Sequence, residues 1–263
     1  MAGAALPGRL SERLAWRVAR LVAVRAETDT ARTLVLEVPG WPGHLAGQRV
    51  DLRLTAADGY STRRSYSLAA PADGDRLELT VQRVPGGEVS PYLTETYSIG
   101  DPVELRGPIG GWFVWRPTDT APVLLVAGGS GLVPLMAMVR ARRAAGSRSP
   151  FRLVCSVRTP SDLYYAAELR AAASRDPGLD VTIAYTRAVP EHWTSPPRRL
   201  RVEDLAAAGW PPEFEPTCYV CGPTGFVEAV ADALVEIGHA SERIRTERFG
   251  PSGSSAAPGP SKV

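Results

Sequence analysis

A glycine-rich turn between an apolar run and a helical pattern is the first feature of this sequence that could bind a ligand. Residues 123–127 predict a buried parallel strand, Gly128-Gly129-Ser130-Gly131 a turn, and residues 132–145 a helix. Glycines let the backbone approach a ligand closely, and the unpaired N–H groups of a first helical turn attract phosphate. We therefore expect the pyrophosphate of a dinucleotide at this turn.

The turn differs from three better-known glycine motifs. It is not G-x-G-x-x-G, it has no Gly-Lys-Ser/Thr that would make a P-loop, and Leu132 stands where a nucleophile elbow needs its last glycine. On this motif alone, a β-to-α turn that binds nothing stays open as the alternative. The rest of the chain has to decide between the two.

A pair of cysteines offers a second chemistry, because Cys218-Tyr-Val-Cys221 has the C-x-x-C spacing of redox and zinc sites. On a strand, an odd separation places two side chains on opposite faces, and no second pair completes four ligands. We therefore predict no metal site and a core position for Cys218. Cys221 is predicted to end its strand at the carboxyl edge of the sheet, where ligands bind in open α/β folds. No role is assigned to the scattered His44, His192 and His239.

Composition excludes several classes of protein. The chain has 263 residues, 44% of them hydrophobic, and no apolar run of about 18 residues, which predicts one or two soluble domains. A formal net charge of +2 is too balanced for a nucleic-acid binder. Three cysteines cannot form a disulfide framework, and residues 1–10 lack a signal pattern. We therefore expect a cytoplasmic protein that binds neither nucleic acid nor a membrane.

Two different patterns of predicted secondary structure divide the chain into two domains. Residues 14–116 carry short strands separated by turns, which predicts a closed antiparallel Greek-key β-barrel. Its strands are predicted at 16–25, 33–38, 49–54, 65–69, 76–84 and 102–105. A short helix is predicted after the fifth strand, with Ser90 as its N-cap and Pro91 at its first position.

Residues 117–250 alternate between strands and helices, which predicts a Rossmann-like α/β domain with a parallel sheet covered on both faces. Further strands are predicted at 151–157, 181–185, 218–220 and 244–246, and helices at 161–173, capped by Ser161, and at 224–237. Residues 116–120 are predicted to link the domains. The Pro-, Gly-, Ser- and Ala-rich residues 251–263 are predicted to form a disordered tail.

Six short motifs occur in order over both predicted domains. They are Arg64-Ser-Tyr-Ser67, Pro85-Gly-Gly-Glu-Val-Ser90, Gly107-Pro-Ile-Gly110, Gly128-Gly-Ser-Gly131, Cys221-Gly-Pro223 and Glu247-Arg-Phe-Gly250. Over about residues 14–250, the chain resembles the ferredoxin–NADP(+) reductase superfamily, the flavin-plus-nicotinamide module also found in oxygenase reductases. The resemblance implies an FAD-dependent oxidoreductase in which hydride passes from NADPH, with NADH possible, to flavin N5.

In the barrel, the resemblance implies that Arg64 binds the flavin pyrophosphate, that Tyr66 stacks on the isoalloxazine and that Ser67 bonds near N5. The chemistry agrees, because a guanidinium suits a diphosphate, a phenol ring suits a planar heterocycle, and a hydroxyl can donate or accept. Strand alternation puts Tyr66 and Ser67 on opposite sides, so either the strand bends or the ring lies across its edge. An ordinary strand and turn remain the alternative. Further implied contacts are Ser65, Val81, Arg83, Gly87, Val89 and Ser90.

In the second domain, the resemblance implies that Cys221, followed by Gly222 and Pro223, lies beside nicotinamide C4 and flavin N5. It also implies that Phe249 covers the flavin face opposite Tyr66, with Glu247 near N5, although an aromatic that only closes the domain interface is the alternative. Preference for NADPH is predicted because arginines stand where a 2′-phosphate would bind. These are Arg158, Arg187 and Arg199. Scattered arginines in an Arg-rich chain are the alternative.

The destination of the electrons follows from the cysteine count. Three cysteines are too few for a 2Fe–2S cluster, so single electrons are expected to pass to a separate ferredoxin or haem monooxygenase. A docking face for an acidic partner is predicted at Arg9, Arg13, Arg17, Arg20 and Arg25. Solvated arginines without a partner are the alternative. A reductase of free flavin or oxygen and a non-catalytic docking subunit also stay open.

Overall fold

Residues 15–250 are described by a computed structural model, in which two β-sheets follow each other along the chain. The first sheet ends at Ile109 and the second begins at Val123. The predicted tail, residues 251–263, and two members of the predicted docking face, Arg9 and Arg13, lie outside the described residues.

Six antiparallel strands form the first sheet, in the order β4-β3-β6-β1-β2-β5. They are β1 (Arg17–Thr28), β2 (Ala31–Glu37), β3 (Arg49–Thr55), β4 (Ser61–Ser67), β5 (Arg76–Gln82) and β6 (Pro102–Ile109). Leu68, which follows β4, bridges to Leu79 in β5, so the sheet closes on itself. Alternate side chains such as Leu34, Leu36 and Leu77 are buried inside. The predicted barrel is confirmed.

The helix after β5 plugs the barrel. α1 (Val89–Pro91) continues as a π-helical turn, Tyr92–Thr96, and Val89 and Leu93 join the barrel core. The prediction that Ser90 is the N-cap is wrong, because the helix begins one residue earlier, after Glu88. The Ser90 Oγ instead accepts a hydrogen bond from the Val84 N–H at 3.0 Å, which fastens the helix to the end of β5.

Five parallel strands form the second sheet, in the order β11-β10-β7-β8-β9. They are β7 (Val123–Gly128), β8 (Phe151–Val157), β9 (Leu179–Tyr185), β10 (Thr217–Pro223) and β11 (Ile244–Phe249). Side chains of β7 alternate between two cores, with Leu125 on one face and Leu124 on the other. Helices α2 (Leu132–Ala144) and α3 (Ala166–Arg175) cover the first face, and α4 (Val202–Ala208) and α5 (Thr224–Ile237) cover the second. The predicted α/β domain is confirmed.

Two helix starts differ from the prediction. The segment predicted to begin at Ser161 is a short 3-10 turn, Pro160–Asp162, capped by Thr159, whose Oγ1 lies 2.7 Å from Asp162 Oδ2. α3 starts only after Tyr165, which has a left-handed backbone with φ of 54°. Helix α4 was not predicted, although Asp204 supplies a local signal by accepting a bond from the Arg201 N–H at 2.9 Å.

The segment after β6 joins the two domains through a shared core. Phe113 and Trp115 are buried with β7, β8 and α2, and barrel residues such as Ala46 lie in the same cluster. The Trp115 ring meets Phe151 edge-on, with centroids 5.2 Å apart. At this segment the contact between the domains is therefore hydrophobic and packed, and the predicted linker at 116–120 starts only beyond it. No helix within residues 15–250 is long and apolar enough to span a membrane.

Candidate functional site

A cleft of about 230 Å³ opens at the carboxyl ends of β7, β8 and β10. Its lining includes five residues predicted from sequence, namely Gly128, Gly129, Ser130, Arg158 and Pro223. The lining residues that sequence reasoning missed are Gln82, Ser156, Val157, Asp162, Tyr164, Thr186 and Phe226. Five residues predicted to bind the nicotinamide nucleotide do not line it, and these are Gly131, Cys221, Gly222, Arg187 and Arg199. The cleft lies where the glycine turn predicted a dinucleotide.

Glycine is favoured at two positions of the turn for different structural reasons. Gly129 has φ of 54°, and a Cβ there would meet open space, so its backbone faces the cleft unobstructed. Gly131 lies against β10, where a Cβ would stand 2.0 Å from the Cys221 carbonyl oxygen. The first turn of α2 carries no acidic side chain. An exposed backbone at an unopposed helix N-terminus suits a phosphate.

The three predicted arginines lie in loops that follow β8 and β9. Arg158 follows β8, lines the cleft, and makes no side-chain ion pair with any residue of the described part of the chain. The Arg187 N–H donates to the Arg158 carbonyl at 2.8 Å, which holds the two loops together. Arg199 is exposed in the next loop, beside Arg198, whose guanidinium is bound by Asp204. The cations therefore lie along one edge, but only Arg158 lines the cleft.

The cysteines occupy opposite faces of β10, as predicted. Cys218 lies in the core with α4 and α5, and Cys221 lies in the core with α2. The prediction that Cys221 ends the strand is wrong, because β10 pairs with β11 as far as Pro223. Cys221 is 0% exposed, and burial raises the pKa of its thiol well above the ordinary value. The thiol is therefore neutral and inside the domain, and its predicted place beside the nicotinamide stays a prediction.

Strand β4 carries the motif predicted to bind flavin, and it does not bend. Ser61–Ser67 pairs with β3 in an unbroken register, with Tyr66 opposite Val50 and Ser67 opposite Arg49. Tyr66 therefore faces the barrel side and Ser67 the outer side. A regular strand excludes the first of the two sequence alternatives, a bend in β4, and the second, a flavin ring across the edge of β4, stays a prediction.

Arg64 and Tyr66 lie in different environments at the edge of β4. Arg64 is exposed, and its Nη1 donates to the Arg63 carbonyl at 2.7 Å. Tyr66 packs against the barrel core, and burial raises the pKa of its phenol, so the ring stays neutral. α1 contacts β4, which brings the loop before Ser90 to the same edge. An exposed guanidinium and a neutral aromatic ring suit the diphosphate and the planar ring of a dinucleotide flavin.

Two buried oxygens lie without partners where the barrel meets the α/β domain. The Ser67 Oγ and the Glu247 Oε2 are both buried and have no hydrogen bond within residues 15–250. Arg49, opposite Ser67, reaches Glu247 Oε1 at 3.2 Å across the domain boundary. Burial raises the pKa of Glu247, and Arg49 opposes that shift. Buried oxygens rarely lack a partner, so this pair indicates a place for a polar ligand atom.

Phe249 ends β11 on the same face as Glu247, two residues further along. It is partly buried and packs against the core that holds Cys221. The strand therefore carries both the Glu247 carboxylate, whose Oε1 is paired with Arg49, and an aromatic ring to the domain boundary. No local pattern in the sequence points to Arg49 as a site residue, because its partner Glu247 is far away in the chain.

Other predicted barrel contacts have partners within the barrel. Val81 and Val89 point their side chains into the barrel core, so a side-chain contact with flavin is not available to either. Arg83 is paired with Glu95 at 2.8 Å. The N–H of Gly87, another implied contact, donates to the Val84 carbonyl at 3.0 Å.

Ser65 is also engaged elsewhere, because its hydroxyl donates to Asp51 Oδ1 at 2.6 Å on the outer face of the barrel. Arg106 donates to the same carboxylate. Burial raises the pKa of Asp51, but these donors outweigh it and the net shift is downward. Asp51 is thus a fixed anion that holds Ser65 on the surface.

Comparison with known proteins fits both halves of the structure. A family model described as "Oxidoreductase FAD-binding domain" matches residues 19–114, and one described as "Oxidoreductase NAD-binding domain" matches residues 125–232. The naphthalene 1,2-dioxygenase system ferredoxin–NAD(P)(+) reductase component of Pseudomonas putida is 31% identical over 236 residues, which cover 89% of this chain and 69% of the relative. The chain belongs to the ferredoxin–NADP(+) reductase superfamily.

Two further similar proteins carry different names. A flavohemoprotein of Pseudomonas putida is 33% identical over 211 residues, which cover 80% of this chain and 51% of that protein. The crystal structure of an Amycolatopsis cytochrome P450 reductase superposes with a TM-score of 0.78 at 28% identity, over 90% of this chain and 71% of that one. The chain spans about half to two thirds of the length of the curated relatives it matches. Membership makes it an oxidoreductase with an FAD-binding and a nicotinamide-nucleotide-binding domain.

Proposed function

We propose that the protein is an FAD-dependent reductase that accepts hydride from NADPH and passes single electrons to a separate acceptor protein. The observation that carries this proposal is the pair of buried, unpartnered oxygens of Ser67 and Glu247 where the two domains meet. A flavin ring across the edge of β4 would give both a polar neighbour. The membership of the chain in a family with FAD-binding and NAD-binding domains supports the same assignment.

The residues of the chain bind and orient, while FAD supplies the hydride-accepting chemistry when bound. Arg64 would hold the pyrophosphate with its exposed guanidinium, and Tyr66 would stack on the ring. The Ser67 hydroxyl, which has no partner within residues 15–250, would hydrogen-bond the reactive ring nitrogen. The Gly129 backbone and the start of α2 would hold the nicotinamide dinucleotide from the opposite domain. The hydride step requires no general acid or base from the chain.

An absorbance spectrum of the purified protein tests the proposal. We expect bound FAD, whose visible absorbance bleaches when NADPH is added without oxygen. Loss of bound FAD in Arg64→Ala, with Arg175→Ala as a matched exposed arginine at the end of α3, would locate the pyrophosphate. A colourless protein with no affinity for FAD would overturn the proposal.

Preference for NADPH over NADH is expected to depend on Arg158. The arginine lines the cleft without an ion pair, so a 2′-phosphate would be its first charged partner. Arg158→Gln should lower the ratio of kcat/KM for NADPH to that for NADH about tenfold or more, the value of one charge-assisted hydrogen bond. Steady-state kinetics with both cofactors measures it, and Arg175→Gln should leave the ratio unchanged. A wild-type ratio of one or less would refute the preference.

Phe249 is expected to shield the flavin ring from the oxidised nicotinamide. The aromatic ends β11 beside Glu247, and a nicotinamide ring has to displace it to reach the flavin face. Phe249→Ala should therefore tighten NADP(+) binding about tenfold and shift the flavin absorbance, while the melting temperature changes little. Phe249→Tyr should behave as wild type. Unchanged affinity and spectrum in the alanine variant would leave Phe249 as an interface residue only.

The acceptor is proposed to be an external ferredoxin or haem monooxygenase. The single docking face predicted from sequence is not supported, because Arg17 and Arg20 lie on opposite faces of β1. Arg25 is also paired with Glu78 at 2.6 Å. The proposal of a protein acceptor therefore rests on the reductase components among its relatives.

A second candidate is the reduction of free flavin or oxygen. Flavohemoproteins are among the relatives, which gives this reading specific support. Anaerobic stopped-flow mixing of the reduced protein with a 2Fe–2S ferredoxin, and separately with free FMN, distinguishes the two. Rapid reduction of the ferredoxin supports the proposal, and reduction of FMN alone supports the second candidate.

A further inference from the structure

The dinucleotide cleft is built from both domains, so its width depends on how they are held. All its lining residues but one belong to the α/β domain, and the exception is Gln82 at the end of β5 in the barrel. Tyr164, which precedes α3, lines the same cleft. A change in the angle between the domains would move Gln82 relative to Tyr164 and to the glycine turn.

A closed ring of hydrogen bonds joins the domains directly behind these two residues. Thr80 lies two residues before Gln82 on β5, and Tyr165 follows Tyr164. The Tyr165 hydroxyl lies 2.5 Å from Thr80 Oγ1, which lies 2.7 Å from Thr33 Oγ1. The ring is closed by Glu27, described next.

Glu27 accepts from the Thr33 hydroxyl, at one end of this chain, and from the backbone N–H of Tyr165, at the other. Its Oε1 accepts from Thr33 Oγ1 at 2.6 Å, and its Oε2 accepts from the Tyr165 backbone N–H at 3.2 Å. Because each hydroxyl has one proton, the direction of every bond is fixed. Thr33 donates to Glu27, Thr80 donates to Thr33, and Tyr165 donates to Thr80. Only one arrangement of donors and acceptors satisfies every group in the ring. The ring therefore holds its four residues in fixed relative positions.

Arg140 holds the other side of Tyr165. Its guanidinium carbon lies 4.5 Å from the centroid of the tyrosine ring, and its Nη1 donates to the Ala69 carbonyl of the barrel at 2.7 Å. Its Nη2 donates to Glu168 at 2.6 Å, within the α/β domain. Tyr165 is buried, and its φ of 54° is a conformation that non-glycine residues rarely adopt. Such a residue persists where its surroundings fix it on several sides, as they do here.

We propose that Tyr165 is a positioning residue for the nicotinamide dinucleotide, which fixes the separation of Gln82 from Tyr164 through its hydrogen-bonded ring with Thr80, Thr33 and Glu27. The inference rests on the proposed function for the identity of the ligand, but the domain clamp itself does not depend on it. Tyr165 does not line the cleft, so it acts through its neighbours.

Tyr165→Phe tests the proposal, because it removes the hydroxyl and keeps the aromatic ring over Arg140. Tyr97→Phe is the matched control, since Tyr97 is also buried and its hydroxyl donates to the Asp101 carbonyl within the barrel. Calorimetric titration of the FAD-loaded protein with NADP(+) should show about fivefold weaker binding in Tyr165→Phe, with FAD affinity unchanged. Tyr97→Phe should bind NADP(+) as wild type does. The double variant with Thr80→Val and Tyr165→Phe should bind NADP(+) no more weakly than either single variant, because both substitutions break the same hydrogen bond.

Hydrogen exchange in the free protein gives a readout that needs no nucleotide. Amides at the end of β5 and around Tyr164 should exchange faster in Tyr165→Phe than in wild type, and at the wild-type rate in Tyr97→Phe. Unchanged exchange at both places overturns the clamp, whatever the ligand is. Faster exchange with no binding of NADP(+) or NAD(+) by any variant would instead support the clamp and overturn the proposed function. Faster exchange with unchanged NADP(+) affinity overturns the positioning role.

Discussion

Replacing Ser67 with alanine is expected to slow the reduction of bound FAD by NADPH about 100-fold, with FAD still bound. The Ser67 Oγ is buried and has no partner within residues 15–250, so its hydrogen-bonding capacity is available to the reactive nitrogen of the ring. A hydrogen bond aimed at an atom that changes charge lowers the barrier more than it stabilises the bound cofactor. Anaerobic stopped-flow absorbance measures the rate directly.

Ser65→Ala is the matched control for this experiment. Ser65 lies on the same strand, but its hydroxyl donates to Asp51 on the outer face of the barrel. Removing this hydroxyl should leave the rate of flavin reduction within about twofold of wild type. The partly exposed hydrogen bond that is lost contributes only about 1 kcal/mol to the stability of the protein. Equal rates in the two alanine variants would mean that Ser67 makes no contact with the reacting ring.

Gly131→Ala is expected to lower the free energy of unfolding by about 3 kcal/mol, which corresponds to a fall of about 10 °C in melting temperature. The added Cβ would lie 2.0 Å from the Cys221 carbonyl oxygen and 2.7 Å from the Gly222 nitrogen. Both atoms are backbone of β10, so neither can rotate away. The turn would have to move off the sheet, and nucleotide binding would be lost with it.

Thermal melting of Gly131→Ala beside Gly225→Ala separates this clash from a general effect of glycine substitution. Gly225 lies in α5, and a Cβ there would meet nothing within 4 Å. Alanine in a helix is favoured over glycine by about 1 kcal/mol, so Gly225→Ala should melt at or above the wild-type temperature. Two variants that melt together would show that the turn can yield without loss.

Local patterns in the sequence predicted the elements that local forces determine. β8 and α5 have the predicted bounds, because an apolar run between breakers and a long amphipathic stretch leave few alternatives. The starts of α1 and α3 differ because tertiary contacts outcompete the local cap. Ser90 bonds back to β5 instead of capping α1, and Tyr165 takes up a left-handed backbone within a network from both domains.

The candidate site shows the same division. The glycine turn and Arg158 could be found from sequence because each follows directly from a strand end. The ion pair of Arg49 with Glu247 joins residues 198 positions apart, and no periodicity records such a pairing. Gln82 is similar, because it reaches the cleft only through the way the barrel is docked. A single sequence contains the strands of each domain but not the angle between them.

The buried segment around Trp115 has a consequence for engineering. Trp115 is 1% exposed, bridges to Ala46 of the barrel and packs edge-on against Phe151 of the α/β domain. Either half expressed alone would present this aromatic face to water, which favours aggregation. A chimera that exchanges only the barrel must therefore carry matched residues at 46, 113, 115 and 151. The two domains should be transferred together as one unit, with the chain joined outside the buried segment around Trp115 and not within it.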